Sequence, residues 1–352
     1  MRPGLPCPAP AELPPPSPGR GGWPWTAASP AFAKTMPDGR AWPRISIVTP
    51  SYNQARFLEA TIRSVLLQGY PNLEYIVVDG GSEDGSVGII ERYERCLAAW
   101  VSEKDGGHAN GLNKGFSLAT GEIMAWINSD DIYWPGAFQT VAEVFGHFAD
   151  IEWLTSALPT SFDETPKIAR LHTPGFSPKF FAIGGYIGLP YSTGWIQQES
   201  TFWKRSLWTR AGGTLDESLS MAIDLELWNR FFRLTSLATV DAMLGNFRVH
   251  EGQRSHHNWS LYRREATRCL GLEQQSLRLP VPAVVWRRLG FERQGVPLRV
   301  LGLSAAGYLY RRSVLGKLVH WRHVAKLMYG ERVPVVTRGG HGSWKKDMKW
   351  IA

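Results

Sequence analysis

The run Asn128-Ser129-Asp130-Asp131 places two carboxylates side by side directly behind an apolar stretch, Ile123 to Ile127. Neighbouring acids at a strand end repel each other and resist desolvation unless a cation or base offsets them. A hard divalent ion, Mg2+ or Mn2+, is the usual partner, held by one or two carboxylates and by substrate phosphate oxygens. The same residues also suit an N-cap for the segment that follows. Asp79 closes another apolar run, Leu73 to Asp79, just ahead of Gly80-Gly81-Ser82-Glu83-Asp84-Gly85. There it serves either as a cap or as the acceptor for a nucleobase imide N–H. Tyr52 and Asn53 follow Ile45 to Thr49 and either make a turn or contact the same base and its ribose. Farther on, Asp224 and Glu226 stand two residues apart in a helical stretch, so they do not share a face and have different roles. Taken alone, Asp224 reads as a solvated helix-start charge and His250, a lone histidine, as structural.

These residues need elements to position them. Ile45 to Thr49, Leu73 to Asp79, Ala98 to Ser102 and Ile123 to Ile127 have the composition of buried strands. Between them Ala55 to Gln68, Ile89 to Glu94 and Ala109 to Leu118 have helical spacing, with Leu58, Ile62, Val65 and Leu66 marking the first apolar face. Alternation with short links predicts an α/β fold, a doubly wound and mainly parallel sheet. Ligands of such sheets bind beyond the C-terminal strand ends. Tyr52-Asn53, Asp79, Glu103 to Asp105 and Asp130-Asp131 all fall there, so four strand ends deliver polar or acidic groups to one rim. The second half is less regular. Tyr186 to Ser200 reads as a long loop, Gln198 to Trp203 as a strand and Lys204 to Thr209 as a short helix. Met221 to Phe232 reads as a helix, Leu237 to Val249 as strand material and Trp259 to Gln275 as helical.

Composition narrows the class. The chain has 352 residues, 43% hydrophobic and 20% charged, enough apolar matter for a sizeable core. Residues 1–43 hold 12 of the 24 prolines without apolar periodicity, and are expected to be a disordered leader in which Met36 offers a second candidate start. No apolar stretch reaches the ~18–20 residues of a membrane span. Three widely spaced cysteines, Cys7, Cys96 and Cys269, imply neither a disulfide framework nor a zinc site and fit a reducing, cytoplasmic setting. Of the net charge of +8, residues 281–352 carry 14 Lys and Arg against 3 Asp and Glu, leaving 25 against 28 elsewhere. A basic appendage of this kind meets anions. Val314, Leu318, Trp321, Ala325 and Met328 lie at helical spacing among Arg311, Arg312, Lys317 and Arg322, so a helical, membrane-surface or domain-docking extension is expected. Nucleic acid is not the expected partner, because its binders present basic and aromatic platforms rather than an acidic rim.

Four segments occur in order: Thr49 to Gln54, Val78 to Gly85, Ser102 to Gly107 with Asn113-Lys114-Gly115, and Trp126 to Asp131. Over about residues 44–255 this set resembles the family-two glycosyltransferases of the GT-A fold, of the kind that build bacterial surface polysaccharides. The resemblance implies a Rossmann-like GT-A domain at 44–255, with a nucleotide-sugar half at 44–135 and an acceptor half at 136–255. A helical basic region, 256–352, would follow. It implies donor contacts from Pro50, Tyr52, Asn53, Asp79, Asp105, Asn113, Lys114 and Asp130, and a metal site at Asp131, Asp130 and His250. Gln198 and Glu199 fall in the family's acceptor-side block, and Asp224 where these enzymes carry the catalytic base. Asn128 departs from the strict D-x-D pattern by replacing its first acid.

The activity so implied is inverting transfer of a sugar from a nucleotide-sugar donor, UDP-linked by preference, to a saccharide or lipid-linked acceptor. Mg2+ or Mn2+ would serve as Lewis acid, at the inner face of the cell membrane. The competing reading is a non-catalytic sugar-nucleotide-binding subunit, which could dispense with Asp224.

Overall fold

Continuous apolar runs become strands covered on both faces. In the computed structural model, which describes residues 5–30, 32–162, 168–170, 175–187, 194–272, 331–339 and 343–351, β1 (Ile45–Ser51) and β2 (Leu73–Asp79) bury every residue. That is the signature of parallel strands with helices on either side. β3 (Ala99–Ser102) and β4 (Ile123–Trp126) extend this parallel group, in the order β4-β1-β2-β3. The connecting helices are α1 (Ala55–Leu66), α2 (Ser86–Tyr93) and α3 (His108–Leu118). Leu58, Ile62, Val65 and Leu66 of α1 are all buried, as their spacing predicts. α3 lies tightly on β1 because position 115 is glycine: a Cβ there would sit 2.4 Å from a Val48 methyl.

Beyond β4 come β5 (Ile132–Tyr133), α4 (Ala137–His147), β6 (Trp153–Ser156), β7 (Thr160–Phe162), β8 (Ile168–Arg170) and α5 (Pro178–Ala182). Next are β9 (Phe202–Lys204), α6 (Arg205–Arg210), α7 (Ile223–Phe232), β10 (Ala238–Val240), β11 (Gly245–Arg248), α8 (Arg254–His257) and α9 (Trp259–Cys269). The strand expected over Gln198 to Trp203 begins later, because Gln198–Ser200 is a 3-10 turn. β9 runs antiparallel between β4 and β6, and β10 is parallel to β6. A second sheet, β5-β11-β7-β8, pairs Ile132 with Asn246 in antiparallel register. That register delivers the residues after β11 to the acids before β5.

Two expectations are corrected. The Pro-rich leader is not a loose tail. Leu5 exchanges backbone hydrogen bonds with Leu73, at 2.8 and 3.0 Å. Buried Arg63 of α1 donates to the carbonyls of Pro14 (2.8 Å), Pro24 (3.0 Å) and Trp25 (2.7 Å) and to the Tyr93 hydroxyl (3.0 Å). The Trp23 indole donates to the Tyr133 carbonyl at 2.8 Å. Prolines remove backbone donors but keep acceptors, so a segment without periodicity of its own still satisfies a buried guanidinium.

The C-terminal region is also not wholly helical. Glu331–Arg338 (β12) and Trp344–Ile351 (β13) form an antiparallel pair, and β12 adds to β10 in parallel through Thr239–Val335 and Val240–Val336. Among the described residues this completes a nine-stranded sheet, β13-β12-β10-β6-β9-β4-β1-β2-β3. Lys345, Lys346 and Lys349 hide the strand from a hydropathy reading, yet lysines are what a sheet edge uses against further pairing. The amphipathic stretch expected over 311–328 lies outside the described residues.

Candidate active site

β1, β2 and β3 end in register at Ser51, Asp79 and Ser102, so their following loops share one rim. Asp79 is fully buried there. Its carboxylate accepts from the N–H groups of Gly81 (3.1 Å) and Ser82 (2.8 Å) and from the hydroxyls of Ser82 (2.6 Å) and Ser102 (2.9 Å). Three of these bonds fall on Oδ2 and one, from the Ser82 hydroxyl, on Oδ1, so Oδ1 keeps an acceptor site. Asp79 thus organises the Gly-rich turn and still has one oxygen able to accept a further donor. Asn53, in the left-handed region at φ 51°, joins the same turn: its N–H donates to Ser82 Oγ (2.7 Å) and its Oδ1 accepts from Glu83 N–H (2.9 Å). Pro50 is buried in β1 opposite Val78, while Tyr52 stands 64% exposed on the rim. Asp105 accepts from Gly107 N–H at 2.8 Å, and its carboxylate lies where Cβ atoms on Gly80 and Gly111 would intrude, at 3.1 and 2.9 Å.

Not every expected donor residue is free. Asn113 bridges α3 to the loop before α7, with its Nδ2 donating to Leu215 O (3.1 Å) and Glu217 Oε1 (2.8 Å) and its Oδ1 accepting from Leu215 N–H (2.8 Å). Lys114 pairs with Glu103 at 2.8 Å on the surface.

At the end of β4 the acids divide by orientation. Asp131 turns inward: it is 1% exposed, its Oδ1 accepts from Arg248 N–H at 2.8 Å, and its Oδ2 has no protein partner. Burial, reinforced by the charges of Asp130 and Glu199, holds its carboxyl well above the usual range. Asp130 is aimed at His250, with Oδ2 and Nε2 3.1 Å apart, and its carbonyl accepts from Arg248 Nε at 2.6 Å. Arg248 in turn lies over the rings of Phe57 and Phe162, at 4.8 and 4.4 Å. An O and N donor pair, backed by a second buried carboxylate, suits a hard cation that completes its shell with phosphate oxygens and water. Among the described residues no three His, Cys, Asp or Glu side chains are already gathered as a ligand set.

The departure at Asn128 has a local reason. Its Oδ1 faces His108 Nε2 at 3.2 Å and its Nδ2 donates to Gln198 Oε1 at 3.2 Å, while Gln198 Nε2 donates to Trp126 O at 2.7 Å. A carboxylate accepts only and would leave Gln198 without that donor. Burial, helped by the Arg254 charge, lowers His108 to about 4, so it is neutral at pH 7.

Glu199 and Asp224 complete the cluster from the second half. Buried Glu199 is raised to about 8, chiefly by desolvation and then by the charges of Asp130 and Asp224, which places it between the two acids electrostatically. Asp224 is the second residue of α7, partly buried, and desolvation pushes it up to about 6. Four residues on, Trp228 stacks on Trp126 of β4, with centroids 5.9 Å apart and planes within 13°. An apolar groove lined by Pro178, Phe181, Asn229, Phe232 and Leu270 lies toward the opposite end of α7.

Sequence reading gave no role to Arg248, which stands two residues before His250, and missed Arg254 and Glu265. Glu265 of α9 accepts from three consecutive N–H groups, Ser220 (3.0 Å), Met221 (2.8 Å) and Ala222 (2.9 Å), and Arg254 donates to Ser220 O at 3.1 Å. Neither stands in a motif, and nothing in the sequence signals a cap supplied from more than 40 residues away.

Residues 46–204 match the family model described as Glycosyl transferase family 2. An uncharacterized glycosyltransferase of Rickettsia typhi is 27% identical over 216 residues, 61% of this chain and 66% of its own length. The putative teichuronic acid biosynthesis glycosyltransferase TuaG of Bacillus subtilis is 38% identical over 92 residues, covering 25% of this chain and 36% of TuaG. The chain spans 66% of the first two curated relatives it matches and 33% of the third. Among solved structures, S. aureus TarS 1-349 in complex with UDP-GlcNAc shares the fold, with a TM-score of 0.50 at 15% identity over 81% of this chain and 80% of that one.

Proposed function

We propose that this chain, whose residues 46–204 are a glycosyl transferase family 2 domain, moves a sugar from a nucleotide-sugar donor to a hydroxyl acceptor in cell-surface polysaccharide synthesis, with inversion at the anomeric carbon. The observation that carries the proposal is the convergence of Asp130, Glu199 and Asp224 from two halves of the chain beside the Asp79 rim. The donor base lies along Tyr52, Asn53 and Asp79, with its imide N–H donating to Asp79 Oδ1 beside the Ser82 hydroxyl. A UDP-linked donor fits that acceptor, and TarS offers a parallel because it was crystallised with UDP-GlcNAc.

Asp130 and His250 are the residues that would hold a divalent cation, with Asp131 fixing the loop behind them. Such a cation, Mg2+ or Mn2+, supplies Lewis-acid stabilisation of the departing diphosphate. Asp224 takes the proton from the acceptor hydroxyl as that oxygen attacks C1 from the face opposite the leaving group. A carboxylate raised to about 6 is ionised at pH 7 yet more basic than an ordinary one, as a general base requires. The protonated form of Glu199 keeps the cluster from carrying a further negative charge. The acceptor is a saccharide or a lipid-linked saccharide. The basic residues 281–352 would bring the enzyme to an anionic inner membrane face.

The test is a panel of UDP-, GDP- and dTDP-sugars, each with Mg2+, Mn2+ or EDTA, followed by hydrolysis and by thermal shift. Cation-dependent turnover of at least one donor is expected. Stabilisation by a nucleotide sugar without turnover, in the presence of candidate acceptors, would instead favour a binding subunit.

A further inference from the structure

We propose that Glu265 is a positioning residue for transfer, fixing where Asp224 stands at the start of α7; this rests on Asp224 being the base. The first N–H groups of a helix have no partner within it. Ala222 at the N-cap of α7 offers no side-chain acceptor, and within the first turn Asp224 Oδ1 takes only the N–H of Leu225 at 2.8 Å. Glu265 of α9 takes the N–H groups that lead into the helix, with Oε1 on Ser220 and Oε2 on Met221 and on the N-cap Ala222, all between 2.8 and 3.0 Å. It is 8% exposed, so these charge-assisted bonds form largely out of water. Three donors converging on one carboxylate define a single path for the backbone two residues before Asp224.

Two further contacts make the frame rigid. Arg254 holds the Ser220 carbonyl at 3.1 Å, opposite the N–H that Glu265 holds. Farther along, Asn229 Nδ2 donates to Cys269 O at 3.0 Å, tying α7 to α9 a second time. The acids of the β4 end and the Asp79 rim stand on other elements and do not depend on this frame. Loss of the Glu265 carboxylate frees the Ser220 to Ala222 peptides to rotate, and Asp224 moves with them. A shift of about 1 Å in a reacting group costs on the order of 10²-fold in rate. α7 and α9 both lie outside the matched residues 46–204.

The experiment uses the full chain with the nucleotide sugar that the wild type hydrolyses fastest in the panel above. Glu265→Gln keeps the size of the side chain but turns an NH2 group toward backbone donors; Glu265→Ala removes the acceptor, and if it does not fold the Gln variant carries the test. kcat is expected to fall about 10–100-fold in Glu265→Gln, with the donor KM and the calorimetric donor stoichiometry unchanged. A stoichiometry that falls in step with kcat would mean that Glu265 only keeps the protein folded, and would overturn the proposal. Wild-type kcat in Glu265→Gln beside an inactive Asp224→Asn overturns it alone. Wild-type turnover in Asp224→Asn removes the base assignment and takes this proposal with it.

Discussion

At the scale of single residues, the carboxylates near the β4 end share a composition and differ in surroundings. Asp224 is raised to about 6 by desolvation, so the pH profile of kcat should reveal it. A base works when deprotonated: kcat should fall about tenfold per pH unit below 6 and level off above it. Asp224→Asn should lose about 10²–10⁴-fold in kcat while donor affinity, measured by calorimetry, stays within a factor of two or so. Asp130 and His250 face each other at 3.1 Å, and their loss should act on the other side of the reaction. Asp130→Ala or His250→Ala should weaken donor binding in Mn2+ and change it little in EDTA. Equal weakening in both would remove these residues from the cation site. Asp130-Asp131 was legible as an acidic pair, but their opposite orientations were not. Those follow from Arg248, which reaches both residues from a strand more than 100 residues away.

At the scale of elements, each strand end is only as well placed as the packing behind it. α3 seats against β1 because Gly115 has no side chain, and a Cβ there would lie 2.4 and 3.2 Å from the two Val48 methyls and 3.3 Å from Val78. Gly115→Ala should therefore cost about 1–3 kcal/mol by overpacking, read from chemical denaturation. It should also lower donor affinity, since α3 begins at His108, just beyond Asp105. Little change in either would show that the helix yields without disturbing the rim. The βα alternation from Ile45 to Ile127 was readable because buried parallel strands and amphipathic helices have distinct patterns. The β12–β13 pair was not, since an edge strand carrying three lysines resembles a solvated segment until its partner is known.

At the scale of the whole molecule, the leader and the C-terminal strands both tie back to the fold, and both reach α4, where Arg40 donates to Gly146 O and Trp344 to Glu143. Arg63, 1% exposed, finds three of its acceptors in residues 14–25. A variant lacking residues 1–43 leaves that guanidinium without those carbonyls, and a hydrogen bond to a charged group is typically worth about 1.5–3 kcal/mol. A markedly lower melting temperature is expected by calorimetry; an unchanged one would mean that water replaces the leader. Among the described residues no helix is long and apolar enough to cross a membrane. The charge asymmetry predicts that the full chain co-sediments with anionic vesicles but not with neutral ones, and that binding weakens as salt shortens the Debye length from about 10 Å at 0.1 M toward 3 Å at 1 M. Removing everything after residue 280 is a poor control for that experiment, because it also takes β12 and β13 out of the sheet.

The family resemblance offered Asp224 as the base; sequence patterning alone determined the parallel core and the rim to which Asp79, Asp105 and Asp130 belong. Those features are local: they depend on periodicity and on residue type at a strand or helix end, and both are written into short stretches of chain. Tertiary structure decided which acid faces inward, which asparagine ties α3 to the loop before α7, and which distant glutamate holds the approach to α7. Such choices are made by hydrogen bonds between groups far apart in sequence, as between Glu265 and Ser220 or Arg63 and Pro14. No spacing rule encodes them, because each partner acquires its role only once folding has taken the other out of water.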